Sequence, residues 1–394
     1  MAYPNNPMTF ALRALFWTCS FLTGYVYLLY PLLLVPLSKL LGRSFVRDDI
    51  LPPLSVIITA YNEERSIARK IENTLALDYP RDLMEVIVGS DGSTDGTNEI
   101  VRGYEHRGVR LVTFPANRGK TAVQNDCARE ASHGLLVFMD AASLCERDCL
   151  KKLAANFADR RVGAVAGRIV FTRDRDNLTG QSQGIYWSYE QVLKRAESRL
   201  GTLVGVDGPL YAMRRELFEE LDEDMMSDFL APLLVLGKGR CVVYEPQAVT
   251  YEEATARTVD ELRARRRIVT RGFTALARHL RLVNPLARPL LAWLVISHKV
   301  LRWLAGFYYA GMLVTSFFLA SSPFFLLAFG GLFSILCLAY VSFLVEGERP
   351  KTLAIPYYFM LVNLAAALGV IDCLRGEKVV TWKPVRGVLP GGTP

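Results

Sequence analysis

Charge is missing from three long stretches of this sequence. No Asp, Glu, Lys or Arg occurs from Ala14 to Ser38, from Trp303 to Val345 or from Thr352 to Ile371. A membrane-crossing helix needs ~20 apolar residues, so these stretches predict roughly one, two and one crossings. Hydrophobic residues make up 51% of the chain and the mean hydropathy is +0.20, which excludes an ordinary soluble protein. Without a charge inside these stretches to serve a substrate or ion path, a transporter is disfavoured.

Cysteine is sparse and lacks the spacing of a metal or redox site. The chain has 7 cysteines in 394 residues, and those of the polar middle show neither zinc-type nor CxxC spacing. Free thiols of this kind suit a reducing compartment. Internal repeats and low-complexity segments are absent as well.

A cleavable leader is also missing. The first uncharged stretch is longer than the apolar part of a signal peptide, and no small-x-small cleavage site follows it, which predicts a retained anchor. Only Arg13 precedes the anchor, whereas Lys39, Arg43 and Arg47 follow it. Because basic residues prefer the cytoplasmic side, we predict an integral protein of the plasma (inner) membrane with a cytoplasmic polar middle. The side on which the C-terminal tail lies stays open.

The basic balance does not indicate nucleic acid. The net charge is +7, but the basic residues cluster beside the uncharged stretches and in one helical run, Arg263–Arg267. Anionic lipid headgroups and a diphosphate ligand account for both clusters. We therefore expect a lipid bilayer as a partner and no nucleic acid.

Within the polar middle, β-branched runs alternate with helical patterns. The four clearest runs are 55–59, 85–89, 109–113 and 135–139. Such alternation predicts an α/β fold, with a mostly parallel sheet flanked by helices. Ligands of these sheets bind at the carboxyl ends of the strands, where helix N-termini point their amides outward.

Two common nucleotide-binding loops are absent at those strand ends. The turn after the first run reads Thr59-Ala-Tyr-Asn-Glu63 and contains no glycine, which excludes a dinucleotide fingerprint. A Walker lysine loop is also missing. A nucleotide bound here must be held by other groups.

Seven motifs follow one another along the chain. They are VIITAYNEE (56–64), VIVGSDGSTDGT (86–97), NRGKTAVQN (117–125), VFMDAAS (137–143), GVDGPLYAMRREL (205–217), MSDF (226–229) and RRRIVTRG (265–272). In this order they resemble family 2 glycosyltransferases, and above all their membrane-embedded members, the cellulose, chitin, hyaluronan and poly-N-acetylglucosamine synthases. The resemblance covers about residues 54–275 and implies a GT-A fold with transmembrane helices.

The resemblance and the charge pattern together predict five regions. A transmembrane anchor covers 1–41, and a cytoplasmic glycosyltransferase domain covers 42–283. An amphipathic helix in the membrane interface is expected at 284–302, because apolar residues alternate there with Arg288, His298, Lys299 and Arg302. The last two regions are C-terminal transmembrane helices (303–374) and a tail (375–394).

The family pattern implies a nucleotide site at the first strand ends. Tyr61 and Glu63 would line the base and ribose, and Asp91 would accept hydrogen bonds from the uracil or ribose. Lys120 stands at a helix start, where a cation opposes the helix dipole, and so would contact the nucleotide. Three of these residues also have a purely structural interpretation, which stays open. For Tyr61 it is packing, for Asp91 a turn with a helix cap, and for Lys120 a solvated side chain.

Asp140 matches the first aspartate of the family's metal motif. A divalent, oxygen-ligated ion, Mg²⁺ or Mn²⁺, would offset the charge of the diphosphate leaving group there. Many members have Asp-x-Asp, but here Ala142 takes the second position and cannot ligate. Metal binding would then rest on Asp140, phosphate oxygens and water.

Two further acids match the acceptor half of the family. Asp228 corresponds to the catalytic aspartate, the general base that removes a proton from the attacking hydroxyl. It stands apart from the acidic run Glu219–Asp224, which is typical of a solvated face. Asp207 lies in the loop that would receive the acceptor sugar, although its glycines also suit a bare turn.

The arginine run takes the place of the family's Gln-x-x-Arg-Trp motif. Arg265, Arg266 and Arg267 would hold the diphosphate, because guanidinium forks match phosphate oxygens. Arg267 aligns with the motif arginine, whereas Ala264 and Ile268 stand where glutamine and tryptophan are expected. Contact with lipid headgroups explains some of these arginines equally well.

These observations predict an inverting membrane glycosyltransferase. It would transfer a sugar from a nucleotide-diphosphate donor, UDP-linked by preference, to a growing β-linked polysaccharide. Addition of a single sugar to a lipid-linked acceptor is the alternative, and a non-catalytic nucleotide-sugar sensor or glycan-export scaffold is a third. The sugar, the linkage, protein partners and the oligomeric state are not specified by the sequence.

Overall fold

The computed structural model describes residues 7–171, 178–253, 258–345 and 350–381, so most of the predicted tail, 375–394, lies outside the described residues. The strands are β1 (Leu54–Ala60), β2 (Met84–Ser90), β3 (Val109–Thr113), β4 (Leu135–Asp140), β5 (Leu144–Cys145), β6 (Val162–Phe171), β7 (Leu210–Arg214) and β8 (Cys241–Glu252). The α-helices are α1 (Pro7–Gly24), α2 (Tyr30–Leu40), α3 (Ile67–Leu75), α4 (Thr97–Arg102), α5 (Lys120–Glu130), α6 (Cys149–Ala155), α7 (Leu178–Arg199), α8 (Ser227–Gly237), α9 (Thr258–Arg278), α10 (Pro289–Val295), α11 (Leu301–Trp303), α12 (Ala305–Phe318), α13 (Pro323–Leu344) and α14 (Lys351–Leu374).

All the strands join one sheet in the order β3-β2-β1-β4-β7-β6-β8-β5. The four strands predicted from β-branched runs, β1 to β4, pair in parallel. The other half is mixed, because β7 runs antiparallel to both of its neighbours, β4 and β6, whereas β6 and β8 are parallel. The predicted α/β fold is confirmed, with a mixed rather than uniformly parallel sheet.

The centre of the sheet is buried on both faces, because its strands consist mainly of apolar residues. All seven residues of β1 are buried. Side chains alternate between the two faces of a strand. Ile57 therefore packs in the core that contains Val123 of α5, whereas Val56 and Ile58 pack in the core that contains Ile67 of α3. A layer of helices on each face leaves the strand ends as the accessible edge.

Three helical segments are long and apolar enough to span a membrane. They are Pro7–Leu40, Pro323–Leu344 and Thr352–Leu374. A fourth arises if the bent pair Pro289–Trp303 and Ala305–Phe318, which meet at 54°, counts as one span. The count of three or four, among the residues that the structure describes, matches the crossings expected from the uncharged stretches.

The segment predicted as an interfacial helix is helical from Pro289 to Trp303. It consists of α10, a π-helical turn at Ile296–Val300 and α11. It packs on the polar domain, because Leu294, Val295 and Tyr211 belong to the same core. Residues 284–302 thus form an elbow between the sheet domain and α12.

Candidate active site

The register of the sheet brings the predicted polar residues to one edge. Ala60 lies opposite Ser90, and Thr59 lies opposite Asp140. Tyr61, Asp91 and Asp140 therefore emerge from three adjacent strands on the same side. The apolar strand β4 ends in one acid because its first five residues are buried and only its last residue, Asp140, reaches the accessible edge.

The loops after β1 and β2 are locked to each other. Asn62 has a φ of 53°, donates its backbone N–H to Ser93 Oγ (3.0 Å) and accepts a hydrogen bond from the Thr94 N–H (2.8 Å). The Glu63 N–H donates to Thr97 Oγ1 at 2.8 Å, and the Glu63 carboxylate accepts a hydrogen bond from the Ser66 hydroxyl. Glu63 thus helps to start α3, while Tyr61 stays partly exposed at the edge.

Asp91 holds the loop that precedes α5. Its carboxylate accepts hydrogen bonds from the backbone N–H groups of Arg118 (2.7 Å) and Gly119 (2.8 Å). Burial raises the pKa of Asp91, and these two backbone donors oppose the rise. The structure thus gives Asp91 a positioning task beside Lys120, and its contact with a nucleotide stays a prediction.

Lys120 links the two acids that the sequence assigned to chemistry. Its ammonium forms an ion pair with Asp140, and both side chains are about four-fifths buried. Gly208 packs against the same group, because a Cβ built there would lie 2.8 Å from Lys120 Nζ and 2.8 Å from Asp228 Oδ2. Asp140, Lys120 and Asp228 therefore share one site, although they come from three distant parts of the chain.

Asp228 lies in the first turn of α8, where the helix dipole favours a negative charge. Burial nevertheless raises the pKa of its carboxyl, and Asp140 adds to the rise, while Lys120 and Arg271 oppose it. A carboxylate with a raised pKa is a stronger base than an exposed one. This is the property that a proton-accepting residue needs.

The three predicted arginines have different partners. Arg267 lies within electrostatic range of Asp228, and burial lowers the pKa of its guanidinium. Arg265 instead pairs with Glu261 and donates to the Tyr358 hydroxyl at 2.7 Å. Arg266 pairs with Asp372 in α14. Successive residues of an α-helix point about 100° apart, so the three side chains take different directions.

Arg271 is a site residue that the sequence analysis quoted within a motif but did not single out. It follows Arg267 by one helical turn and donates to Thr121 Oγ1 at 2.8 Å and to the Glu223 carbonyl at 3.0 Å. Burial lowers its pKa to about 10, and Asp228 partly opposes that change. The i, i+4 spacing within the motif was the available signal.

Glu252 and Tyr211 were also missed. Burial, followed by the charge of Asp140, raises the pKa of Glu252 from 4.5 to about 8. Tyr211 is 1% exposed, and burial, with further contributions from Asp228 and Asp140, raises its pKa. Tyr211 lies within the motif 205–217 but was not singled out, whereas Glu252 lies in none of the seven motifs. Tyr211 reaches the site from the interior of β7, and Glu252 from the end of β8.

Asp207 is paired before any ligand arrives. Lys194 of α7 donates to both of its carboxylate oxygens, and Lys194 is only 5% exposed. Val206, the residue before Asp207, donates its backbone N–H to the Asp228 carbonyl at 2.9 Å. The predicted acceptor loop is therefore tied both to α7 and to the base.

The oxygen ligands available at this site suit a metal ion that is coordinated partly by the protein and partly by a bound diphosphate. Asp140 is 21% exposed, and its Oδ1 accepts no hydrogen bond beyond the ion pair with Lys120. Among the described residues, no group of three or more Asp, Glu, His or Cys side chains converges on a point. A hard cation that keeps waters and needs few protein carboxylates fits Asp140, whereas a cage built only from protein ligands does not.

Comparison with known proteins shows what the sheet domain resembles. Residues 55–222 match the family model described as Glycosyl transferase family 2. This segment, which is less than half of the chain, is therefore similar to family 2 glycosyl transferases. Asp228 and α9 lie beyond the matched residues, so their roles depend on the geometry above.

The curated proteins to which this chain is similar include polysaccharide synthases. The chain is 28% identical over 213 residues to the poly-beta-1,6-N-acetyl-D-glucosamine synthase of Staphylococcus aureus (strain COL), covering 52% of this chain and 51% of that protein. It is 26% identical over 205 residues to the synthase of the same name from Staphylococcus epidermidis. The chain thus aligns with about half the length of the curated relatives it matches.

A solved structure shares the fold. The mannosyltransferase PcManGT from Pyrobaculum calidifontis, in complex with GDP-Man and Mn2+, superposes with a TM-score of 0.69 at 23% identity. The superposition covers 92% of this chain and 100% of that one, so it includes the helices outside the sheet domain. The chain therefore shares the GT-A fold, and its apolar helices suit a membrane.

Proposed function

We propose that this glycosyltransferase transfers a sugar from a nucleotide-diphosphate donor to a growing β-linked polysaccharide, with inversion at the anomeric carbon. The observation that carries the proposal is the convergence of Asp140, Lys120 and Asp228 around Gly208. This convergence supports a site in which a cation lies beside a partly buried acid that can act as the base. A UDP-linked donor is our preference from the resemblance to family 2 synthases, whereas the GDP-Man complex of the structural neighbour keeps other donors in the test.

In the proposed reaction an acceptor hydroxyl attacks the anomeric carbon while the nucleotide diphosphate departs from the opposite face. Asp228 removes the proton of that hydroxyl, and its raised pKa makes it a competent base. Lys120, Arg267 and Arg271 surround the site with positive charge, which stabilises the leaving diphosphate. The bond to the acceptor oxygen forms as the bond to the phosphate oxygen breaks.

A divalent ion fits this proposal as part of the donor complex. Asp140 would hold it, and the ion would supply charge neutralisation at the diphosphate. The Mn2+ complex of the structural neighbour supports a metal of this kind, whether Mg²⁺ or Mn²⁺. Lys120 adds a positive charge beside Asp140, so the diphosphate would meet a cation there even though Ala142 supplies no second metal ligand.

We further propose the domain plan predicted from the sequence, with the catalytic domain, 42–283, facing the cytoplasm. Its support is the basic residues that follow the N-terminal helical segment. Tyr61 and Glu63 remain the candidates for base and ribose contact, because both lie at the strand edge beside Asp91. A plasma-membrane location follows from the same reasoning.

Addition of one sugar to a lipid-linked acceptor is the second candidate. The observation in its favour is the pair Ala264 and Ile268, which occupy the positions where the polysaccharide synthases that this chain resembles have glutamine and tryptophan. Ile268 is 40% exposed and offers no polar group to a sugar chain. Product size separates the two functions.

The decisive experiment incubates the purified full chain with a panel of nucleotide sugars, with and without Mg²⁺ or Mn²⁺. Release of free nucleotide identifies the donor, and chromatography of the product distinguishes a polymer from a single addition. The substitution Asp228→Asn should lower the transfer rate by at least about 100-fold while leaving nucleotide affinity nearly unchanged, because it removes the base and keeps the shape.

The matched control is Asp222→Asn. Asp222 lies in the same loop region, pairs with Arg278 and is 67% exposed, so its loss should leave transfer almost unchanged. Full activity of the Asp228 variant would contradict the base assignment. Absence of nucleotide release with every donor tested would contradict the proposed function.

A further inference from the structure

A buried polar face runs along α7, between the acceptor loop and the elbow helix Pro289–Trp303. Glu190, Lys194 and Glu197 are spaced by four and three residues, which places them on one side of a helix. All three are at most 5% exposed. Charged side chains are seldom buried so deeply unless each has partners, so the partners define what this face does.

Glu197 joins three elements. It accepts hydrogen bonds from the Tyr30 hydroxyl of α2 (3.0 Å) and from the backbone N–H of Val204 (3.2 Å), at the start of the acceptor loop. Its third contact is with His298 Nδ1 of the elbow helix at 2.6 Å. One carboxylate therefore fixes the anchor, the acceptor loop and the elbow helix together.

Glu190 extends the contact along the elbow helix. It lies 3.2 Å from His298 Nε2 and pairs with the Arg302 guanidinium. Both ring nitrogens of His298 therefore face carboxylate oxygens. The elbow helix is thus held to α7 through His298 and Arg302, each of which contacts a carboxylate.

Lys299 is the cation left without a direct partner. The side chains of this face comprise four basic groups (Lys194, His298, Lys299 and Arg302) and three carboxylates (Glu190, Glu197 and Asp207). Three of the basic groups form ion pairs with the three carboxylates. Lys299 lies within electrostatic range of Glu190 and Glu197, but forms no hydrogen bond or ion pair to any residue in the described ranges.

The Lys299 ammonium points at the acceptor loop. A Cβ built on Gly205 would lie 3.7 Å from Lys299 Nζ, so the amine rests against the open side of that glycine. Gly205 has a φ of +138°, a conformation that residues with side chains rarely adopt. The loop therefore leaves its backbone bare where Lys299 approaches it, two residues before Asp207.

The local helix geometry makes this approach possible. Lys299 and His298 are consecutive, and in a regular α-helix consecutive side chains point about 100° apart. Both lie in the π-helical turn Ile296–Val300, whose wider winding changes the direction of its side chains. Turns of this kind are rare and occur often at functional sites.

We propose that Lys299 binds a phosphate group of the acceptor, carried on a lipid, beside Gly205. The proposal rests on the second candidate function above, addition of one sugar to a lipid-linked acceptor, and names the phosphate that this site receives. A lysine ammonium is a compact charge that commonly binds phosphate. Lys299 lies in the elbow helix, which continues at Leu304 into the apolar helix α12, so its position suits an acceptor that is anchored in a bilayer.

The test compares a lipid phosphate with the same lipid lacking it. The full chain is placed in phosphatidylcholine nanodiscs, and binding of farnesyl phosphate and of farnesol is followed by tryptophan fluorescence. Trp303 is a suitable reporter, since its ring lies 5.6 Å from that of Phe229, next to Asp228. We expect the phosphate to bind at least about 10-fold more tightly than the alcohol, as one charge-assisted contact allows.

Variants then assign the preference to one amine. Lys299→Gln should reduce the preference to less than about 2-fold, and Lys299→Arg should retain most of it, because the charge is kept. The matched control, Arg281→Gln, removes one charge from an exposed position just before the elbow helix and should leave the preference intact. Donor-nucleotide affinity and thermal unfolding of each variant show whether the fold is preserved.

Three outcomes overturn the proposal. The first is equal binding of farnesol and farnesyl phosphate by the unaltered chain, and the second is an unchanged preference in Lys299→Gln. The third is loss of the preference when the discs contain phosphatidylglycerol, which would mean that bulk headgroups occupy the site. Nucleotide release measured in the same discs tests the proposed function separately, because the binding assay needs no turnover.

Discussion

At the scale of single residues, burial sets the protonation of the site. Asp228 and Glu252 both have a raised pKa, and burial is the largest cause for each. Asp140 raises both values further, whereas Lys120 opposes the rise. The repulsion among these acids is reduced because Lys120 lies among them and because Glu252 can keep its proton.

The proton on Glu252 predicts a pH dependence of donor affinity. With a pKa of about 8 this acid is neutral at pH 7, and it gains a negative charge as the pH rises through 8, beside Asp140, Asp207 and Glu261. An anionic donor should then bind more weakly, so KM for the donor should rise between pH 7 and pH 9. In Glu252→Gln this rise should be absent.

The same ionisation should cost stability. Between pH 4.5 and about 8 the folded chain keeps a proton on Glu252 that the unfolded chain has lost, so stability falls as the pH rises through that window. Glu252→Gln should therefore unfold at a higher temperature than the unaltered chain at pH 9 but not at pH 4. A donor KM that rises equally in both proteins would contradict the assignment.

Gly208 offers a second test at this scale. A Cβ at this position would lie 2.8 Å from both Asp228 Oδ2 and Lys120 Nζ, so Gly208→Ala must displace one of them. A small displacement of a catalytic group costs about 100-fold in rate, and we expect kcat to fall by about 10- to 100-fold. Gly134→Ala is the control, because a Cβ there meets nothing within 4 Å. Steady-state kinetics of both variants decide the matter.

At the scale of elements, the sequence predicted the first half of the sheet closely. The β-branched runs gave β1 to β4 within one residue at each end, since a strand buried on both faces is apolar throughout. The antiparallel β7 was not predicted. Its residues, Leu210–Arg214, directly follow a glycine-rich loop, and nothing local specifies insertion between β4 and β6.

The arginine run shows a second limit of sequence reasoning. Arg265, Arg266 and Arg267 are chemically identical, so only the rotation of α9 decides which one faces Asp228. That rotation depends on contacts with α14 and with the sheet domain, which are distant in sequence. Asp140, Lys120 and Asp228 were predicted individually, but their grouping around Gly208 required the tertiary structure.

At the scale of the whole molecule, α9 joins the catalytic domain to the last apolar helix. Within α9, Arg271 donates to Thr121 at the start of α5. Arg266, five residues earlier in the same helix, pairs with Asp372 of α14. Gly369 of α14 packs so closely that a Cβ there would lie 2.7 Å from the Arg266 carbonyl oxygen. The two helices are thus in backbone contact.

The Arg266–Asp372 pair predicts an asymmetric effect on stability. Asp372 is 4% exposed and Arg266 is 40% exposed. Arg266→Met leaves a buried carboxylate with Thr270 as its remaining contact and should destabilise the protein by about 2–4 kcal/mol. Asp372→Asn leaves an arginine that can reach solvent and should cost only about 1 kcal/mol.

Thermal unfolding in one detergent measures this difference. Arg266→Lys is the control, because it keeps the charge and loses only the second hydrogen bond. Equal destabilisation by Arg266→Met and Asp372→Asn would show that the pair contributes through packing rather than through the burial of one charge.

The backbone contact between α9 and α14 also has a consequence for synthesis of the chain. The arginines that face Asp228 lie on α9, and α14 (residues 351–374) packs against another side of that helix. Residues 351–374 leave the ribosome about a hundred positions later. We expect a nascent chain to remain inactive until this final helix has emerged and docked. Donor sugar is then not consumed by unfinished molecules.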